Sequence, residues 1–115
     1  MIGIIPLDIF NLQVAVFRKD KHRIKELVKQ GVADPSSSDR ASLASAHWDT
    51  TQSGEPRFSM VLKPVATRAT WAHECSHITD FIMDCLGIPT GMESTEVRAY
   101  LIGHMMACLE EMMHV

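Results

Sequence analysis

His73-Glu74-Cys75-Ser76-His77 forms an HExxH pattern. On an α-helix, positions i and i+4 lie one turn apart on one face, so His73 and His77 can bring two imidazoles to a single metal ion. Zinc accepts such ligands, and a carboxylate between them stands where it can take a proton from a zinc-activated water. His73 and His77 are therefore expected to be metal ligands, Glu74 the general base and Zn2+ the cofactor. The implied chemistry is hydrolysis of a peptide bond. With six His and seven Glu in 115 residues, chance alone produces the pattern in about 2% of such chains, so its context has to agree.

The context is helical. Thr67 is a suitable N-cap, and neither Gly nor Pro interrupts Arg68 to Leu86. Gly87 supplies a stop, with Pro89 two residues beyond it. Trp71, Cys75, Ile78, Ile82 and Cys85 recur at helical spacing as one apolar stripe, while His73, His77, Asp80 and Asp84 fall on another face. The plain alternative is a solvated helix face that happens to carry two histidines.

A catalytic zinc takes three protein ligands and leaves a place for water. Glu96 is the candidate third ligand. It opens a second helix that is expected to run to about Met113, after a turn from Gly87 to Ser94 that lets the two helices fold back on each other. An acid in the first turn of a helix is also favoured by the helix dipole, which is the plain reading of Glu96. Glu93, one turn earlier, and His104 are rivals. His104 lies about 12 Å along the axis from Glu96, so the two can hardly share one zinc.

These residues resemble the gluzincin branch of the zincin metallopeptidases, in which HExxH is followed some twenty residues later by a Glu on a second helix. The chain is most similar to small phage-encoded zinc peptidase-like proteins. The resemblance rests on Met60-Val61-Leu62-Lys63-Pro64, Thr70-Trp71-Ala72-His73-Glu74, Leu86-Gly87-Ile88-Pro89 and Glu96-Val97-Arg98-Ala99-Tyr100-Leu101-Ile102-Gly103, and covers about residues 58–105. It implies a minimal zincin fold, one zinc and peptide hydrolysis. Two positions depart from the pattern. Thr79 stands where the longer zincin consensus has an apolar residue. Tyr100 stands where larger gluzincins carry an Asp that orients a zinc histidine. Tyr100 is accordingly a hydrogen-bond partner for a ligand or simply packs between the helices. The metzincin pattern does not fit, because positions 80 and 83 are Asp80 and Met83.

In the mechanism so implied, Glu74 takes the proton of the attacking water and passes it to the leaving amine. Tyr100 and His104 are the available donors for the tetrahedral intermediate. The substrate is a peptide or protein, laid extended along an exposed sheet edge. A non-catalytic alternative is a zinc-stabilised phage interaction or regulatory protein, in which the metal supplies folding energy. A third is a helix pair that binds no metal.

The elements needed to position these groups can be read around them. Leu7 to Phe17 reads as a strand, Lys21 to Gln30 as a short helix closed by Gly31, and Ala33 to Arg40 as a mobile loop. Ala41 to Asp49 and Arg57 to Lys63 read as strands joined by a turn at Gly54 and Pro56, with Phe58, Met60 and Leu62 on a buried face. The expected plan is α+β in the order β-α-β-β-α-α, a small sheet beside a zinc-binding helix pair, in one domain spanning residues 1–115.

A net charge of −3 gives no electrostatic case for nucleic acid. The basic run Arg18 to Arg23 is broken by Asp20 and reads as the solvated start of a helix. Three cysteines, an odd count, point to reduced thiols, and Cys75 sits on the apolar side of its helix, away from a metal. Residues 1–17 lack a basic n-region, and no stretch is long enough to span a membrane. The expectation is a soluble cytoplasmic protein, in the host cytoplasm if phage-encoded. Met105, Met106, Met112 and Met113 lie on more than one face of the last helix, which suggests core filling or a homo-oligomer contact. His22, His47 and His114 read as surface or strand residues.

Overall fold

The computed structural model describes residues 1–89 and 91–114. Four strands form one sheet: β1 (Gly3–Leu7), β2 (Leu12–Phe17), β3 (Ala44–Thr50) and β4 (Pro56–Leu62). Three helices accompany it: α1 (Asp20–Lys29), α2 (Arg68–Cys85) and α3 (Thr95–Met113). The strand order is β1-β2-β4-β3, with β2 and β4 parallel and the two outer pairs antiparallel. The architecture is α+β with a mixed sheet. No helix among the described residues is long and apolar enough to cross a membrane.

The stretch read as one strand, Leu7 to Phe17, is half of a hairpin. A single turn of 3-10 helix, Asp8–Phe10, separates β1 from β2, and Asn11 adopts the left-handed conformation (φ 54°) that closes it. Asn tolerates this region better than other side chains, so Asp8 and Asn11 are turn residues inside an otherwise apolar run. The observed order is thus β-β-α-β-β-α-α. β3 begins three residues later than expected, and outside the β1–β2 hairpin the other boundaries agree or move by one residue.

One face of the sheet carries the core. Ile5, Leu7, Val14, Val16, Phe58, Met60 and Leu62 meet Cys75, Ile78, Ile82 and Met83 of α2 and Leu101, Met105 and Leu109 of α3, all buried. Strand alternation accounts for the sheet contribution, and helical periodicity for the rest. Met106, Met112 and Met113 pack partly buried around this core. The Thr67 side chain accepts the Thr70 amide and caps α2, while Gly87, at φ 69°, ends the turn after it where a β-carbon would be strained. Thr79 is fully buried, and its hydroxyl donates to the Cys75 carbonyl at 2.8 Å, so a polar side chain in an apolar place is satisfied within its own helix.

The other face is covered by α1 and by the segment after it, which was expected to be mobile and is instead tied down. Arg23 is fully buried. It donates to Asp20 at 2.7 Å, to Asp49 of β3 at 3.3 Å and to the Ser36 carbonyl. Asp49 and Asp20 accept the amides of Ser36 (2.9 Å) and Ser38 (3.1 Å). Burial works to raise the Asp20 pKa, but the Ser38 amide and Arg23 outweigh it and hold the carboxyl below its ordinary value. His47, read as a surface or strand residue, is a buried strand residue whose two ring nitrogens meet Ser36 Oγ (2.9 Å) and Ser45 Oγ (2.8 Å). Burial, and then the charge of Arg23, lower its pKa to about 4.

Removing one member of such a cluster leaves the others buried and unpaired. Arg23→Ala is expected to cost about 3–5 kcal/mol in urea unfolding. His47 also makes stability depend on pH. Its folded pKa lies below its unfolded value, so the unfolded chain binds more protons between pH 6.5 and about 4. Stability from this group is fully present above pH 6.5 and is lost as pH falls to about 4, by on the order of 3 kcal/mol. His47→Gln should flatten the stability profile across that window.

Candidate metal centre

The core decides which face of α2 remains outside. With Cys75, Ile78 and Ile82 turned to the sheet, His73 and His77 are left exposed on the opposite side. Glu74 follows His73 by about 100° of helix rotation and is turned inward, 6% exposed. The ligand atoms of His73, Glu74 and His77 all lie within 4.8 Å of one another, the one group of three or more such residues among those described.

The two imidazoles meet edge to face, ring centroids 4.7 Å apart, with Nε2 to Nε2 at 3.1 Å. Two nitrogens bound to one tetrahedral zinc at the usual bond length would stand about 3.3 Å apart. The pair is therefore close to ligating geometry with little movement. Without a metal the same contact is a hydrogen bond in which one Nε2–H donates to the other. Glu74 Oε2 is buried and has no hydrogen-bond partner. An unpaired buried carboxylate oxygen is costly, so it calls for a hydrogen-bond donor or a cation beside it. Histidine nitrogens with a neighbouring carboxylate are a donor set that suits zinc.

Cys75 adjoins Glu74 but belongs to the core. Burial, and then the Glu74 charge, push its thiol up to about 12, so it remains a protonated apolar side chain.

The other expected site residues are placed elsewhere. Arg98 of α3 bonds Asp80 and, at 3.0 Å, Ser76 of α2, and Arg68 bonds Glu110 at 3.0 Å. These two contacts fix an antiparallel register in which His73 and His77 lie level with about residue 102. Glu96 is exposed in the first turn of α3, about six residues or roughly 9 Å further along. It is not part of the His73–Glu74–His77 group. Glu93 is exposed in the 3-10 turn Met92–Ser94 and folds its carboxylate over Gly91. His104 is level with the histidines but turned to the sheet, its Nε2 donating to the Pro6 carbonyl at 2.6 Å. Tyr100, half exposed, stacks on His104 with centroids 5.9 Å apart and planes 9° from parallel. It therefore shares the β1 side of α3 rather than the side that faces α2.

Sequence reasoning missed Trp48. Its ring lies 6.2 Å from that of Phe81, one helical turn past His77, and 6.0 Å from Phe58. The alternation of β3 was the available signal, but it does not say which helix the strand will meet.

Zinc titration should separate these roles. His73→Ala and His77→Ala are each expected to weaken binding at least a hundredfold, read by competition with a chromophoric chelator. With the α2–α3 register as described, Glu96→Ala should weaken it less than tenfold. A loss equal to that of the histidines would instead put Glu96 at the metal through a shift of α3. No family model matches the chain, and comparison with curated proteins and with solved structures finds no similar one.

Proposed function

We propose that the protein is a minimal zinc-dependent peptidase of the HExxH type, with His73 and His77 holding the metal and Glu74 acting as general base. The observation that carries this reading is the buried, unpartnered oxygen of Glu74 beside two exposed imidazoles at near-ligating separation. When bound, zinc supplies Lewis acidity and water of lowered pKa. Glu74 accepts the proton of the attacking water and returns it to the leaving amine. Its burial limits the access of bulk water to the carboxylate. Glu96 is the third ligand expected from its place on the second helix and from the resemblance to small phage zincins, and Tyr100 is a candidate donor to the tetrahedral intermediate; both need α3 to move relative to α2.

The peptide binds as an added strand on β3. β3 is an edge of the sheet, and α2 packs against it. In its register with β4, Lys63 donates to Leu43 (3.0 Å) and Thr51 to Glu55 (2.9 Å), so the odd-numbered residues of β3 point their backbone groups at β4. The amides and carbonyls of Ala44, Ala46 and Trp48 then point off the edge, available to a peptide.

A non-catalytic zinc protein is the second reading, favoured by the axial offset of Glu96 from the histidines and by the place of Tyr100 on the β1 side of α3. A zinc that held the fold together would be enclosed by four protein ligands. Both imidazoles here are exposed and the core is complete without them.

Chelation with EDTA is accordingly expected to leave the circular dichroism spectrum intact and to lower Tm by only a few degrees. Glu74→Gln should keep zinc affinity within a few-fold and abolish cleavage of a mixed peptide library that the wild-type chain cleaves. Zinc-loaded wild-type protein that cleaves no peptide, beside an active control, would overturn the peptidase reading in favour of the second.

A further inference from the structure

We propose that Trp48 and Phe81 form the subsite that receives a bulky apolar side chain of an extended peptide laid along the free edge of β3. This makes peptides with an aromatic or large aliphatic residue the substrate class of the candidate metal centre, and it rests on the peptidase reading above.

Three observations place the subsite. Trp48 is 37% exposed although it touches two other aromatic rings, so a flat apolar surface is left open to solvent beside α2. Phe81, part-buried, is one turn from His77 along the same helix, so the surface adjoins the metal face at about 5–6 Å of axial distance. Finally, Trp48 is one of the residues of β3 whose backbone groups face off the sheet, and its side chain lies on the α2 face with its partner Phe58.

The last point determines what a bound peptide must present. A residue hydrogen-bonded opposite Trp48 directs its own side chain to the same face, because directly opposed residues share a face of the pleat. That side chain falls on the Trp48–Phe81 surface, where aromatic and aliphatic groups gain both apolar burial and ring contact. Residues two and four places along the peptide face Ala46 and Ala44, both small, which leaves room beside the helix that carries His73 and Glu74. A polar or charged residue opposite Trp48 would lose hydration without a partner.

The test is binding, without turnover, to zinc-loaded Glu74→Gln protein by calorimetry. The probes are capped pentapeptides Ac-Ala-Ala-X-Ala-Ala-NH2 with X as Phe, Leu, Ala or Asp. The Phe and Leu peptides are expected to bind about tenfold or more tightly than the Ala peptide, and the Asp peptide most weakly. Trp48→Ala in the same background should reduce the Phe-to-Ala ratio below about twofold with zinc content unchanged. N-methylation of the X amide, which alters the ligand and not the fold, should also abolish binding of the Phe peptide. A Phe preference that survives Trp48→Ala, insensitivity to N-methylation, or no binding by any of the four peptides would each overturn the proposal. Library cleavage without an apolar preference would sink the subsite and leave the peptidase reading standing. Selective binding with no cleavage by the wild-type chain would do the reverse.

Discussion

The seat of α2 on the sheet is the contact on which the rest of the structure depends. Cys75, Ile78 and Ile82 are fully buried against strand residues that include Phe58, Met60 and Leu62. A helix has one rotational degree of freedom about its axis, and this burial removes it. His73 and His77 are then forced outward, and Glu74, about 100° round, is forced to the boundary between core and solvent. Rotation by a single residue would bury an imidazole or expose Ile78, at a cost of a few kcal/mol either way. The juxtaposition of two exposed imidazoles with one buried acid is therefore a by-product of ordinary core packing.

β3 is held from both faces, which is what suits it to present an edge. On the α2 face, Trp48 packs on Phe58 and Phe81. On the other, Asp49 is joined to α1 through the buried Arg23, and Asp49 and His47 each bond Ser36 directly. An isolated edge strand frays easily, and its register to an added peptide would be loose. Polar anchoring beneath and aromatic packing above fix the outward-facing groups of Ala44, Ala46 and Trp48 relative to the helix with the histidines. The buried ionic cluster is expensive to form and serves geometry more than net stability.

The α2–α3 pair is where the family resemblance and the tertiary structure part. The spacing from His77 to Glu96 matches a gluzincin pattern in sequence, but a residue count does not set the register of two helices. Arg98 with Asp80 and Ser76, and Arg68 with Glu110, set it here. That register carries Glu96 past the histidines and turns His104 and Tyr100 toward β1. Bringing Glu96 level would break both ion-pair contacts. They are largely exposed, so the ion pairs themselves resist such a slide only weakly.

What the sequence by itself determined is local. The span and caps of α2, its apolar stripe, the shared face of His73 and His77, and the buried side of β4 follow from periodicity and capping, which act over a few residues. The hairpin between β1 and β2 was also written locally, in Asp8 and Asn11, yet the apolar residues around them read as one strand. Only the tertiary structure decided the rest: that β3 is the edge beside α2, that Ser36 to Ser38 is anchored rather than loose, that Glu74 is buried, and where α3 stops relative to α2. Each depends on side chains tens of residues apart, Arg23 with Asp49, Trp48 with Phe81, Arg98 with Asp80. Such pairings are chosen by the packing of whole elements, and nothing in the local spacing of one partner specifies the other.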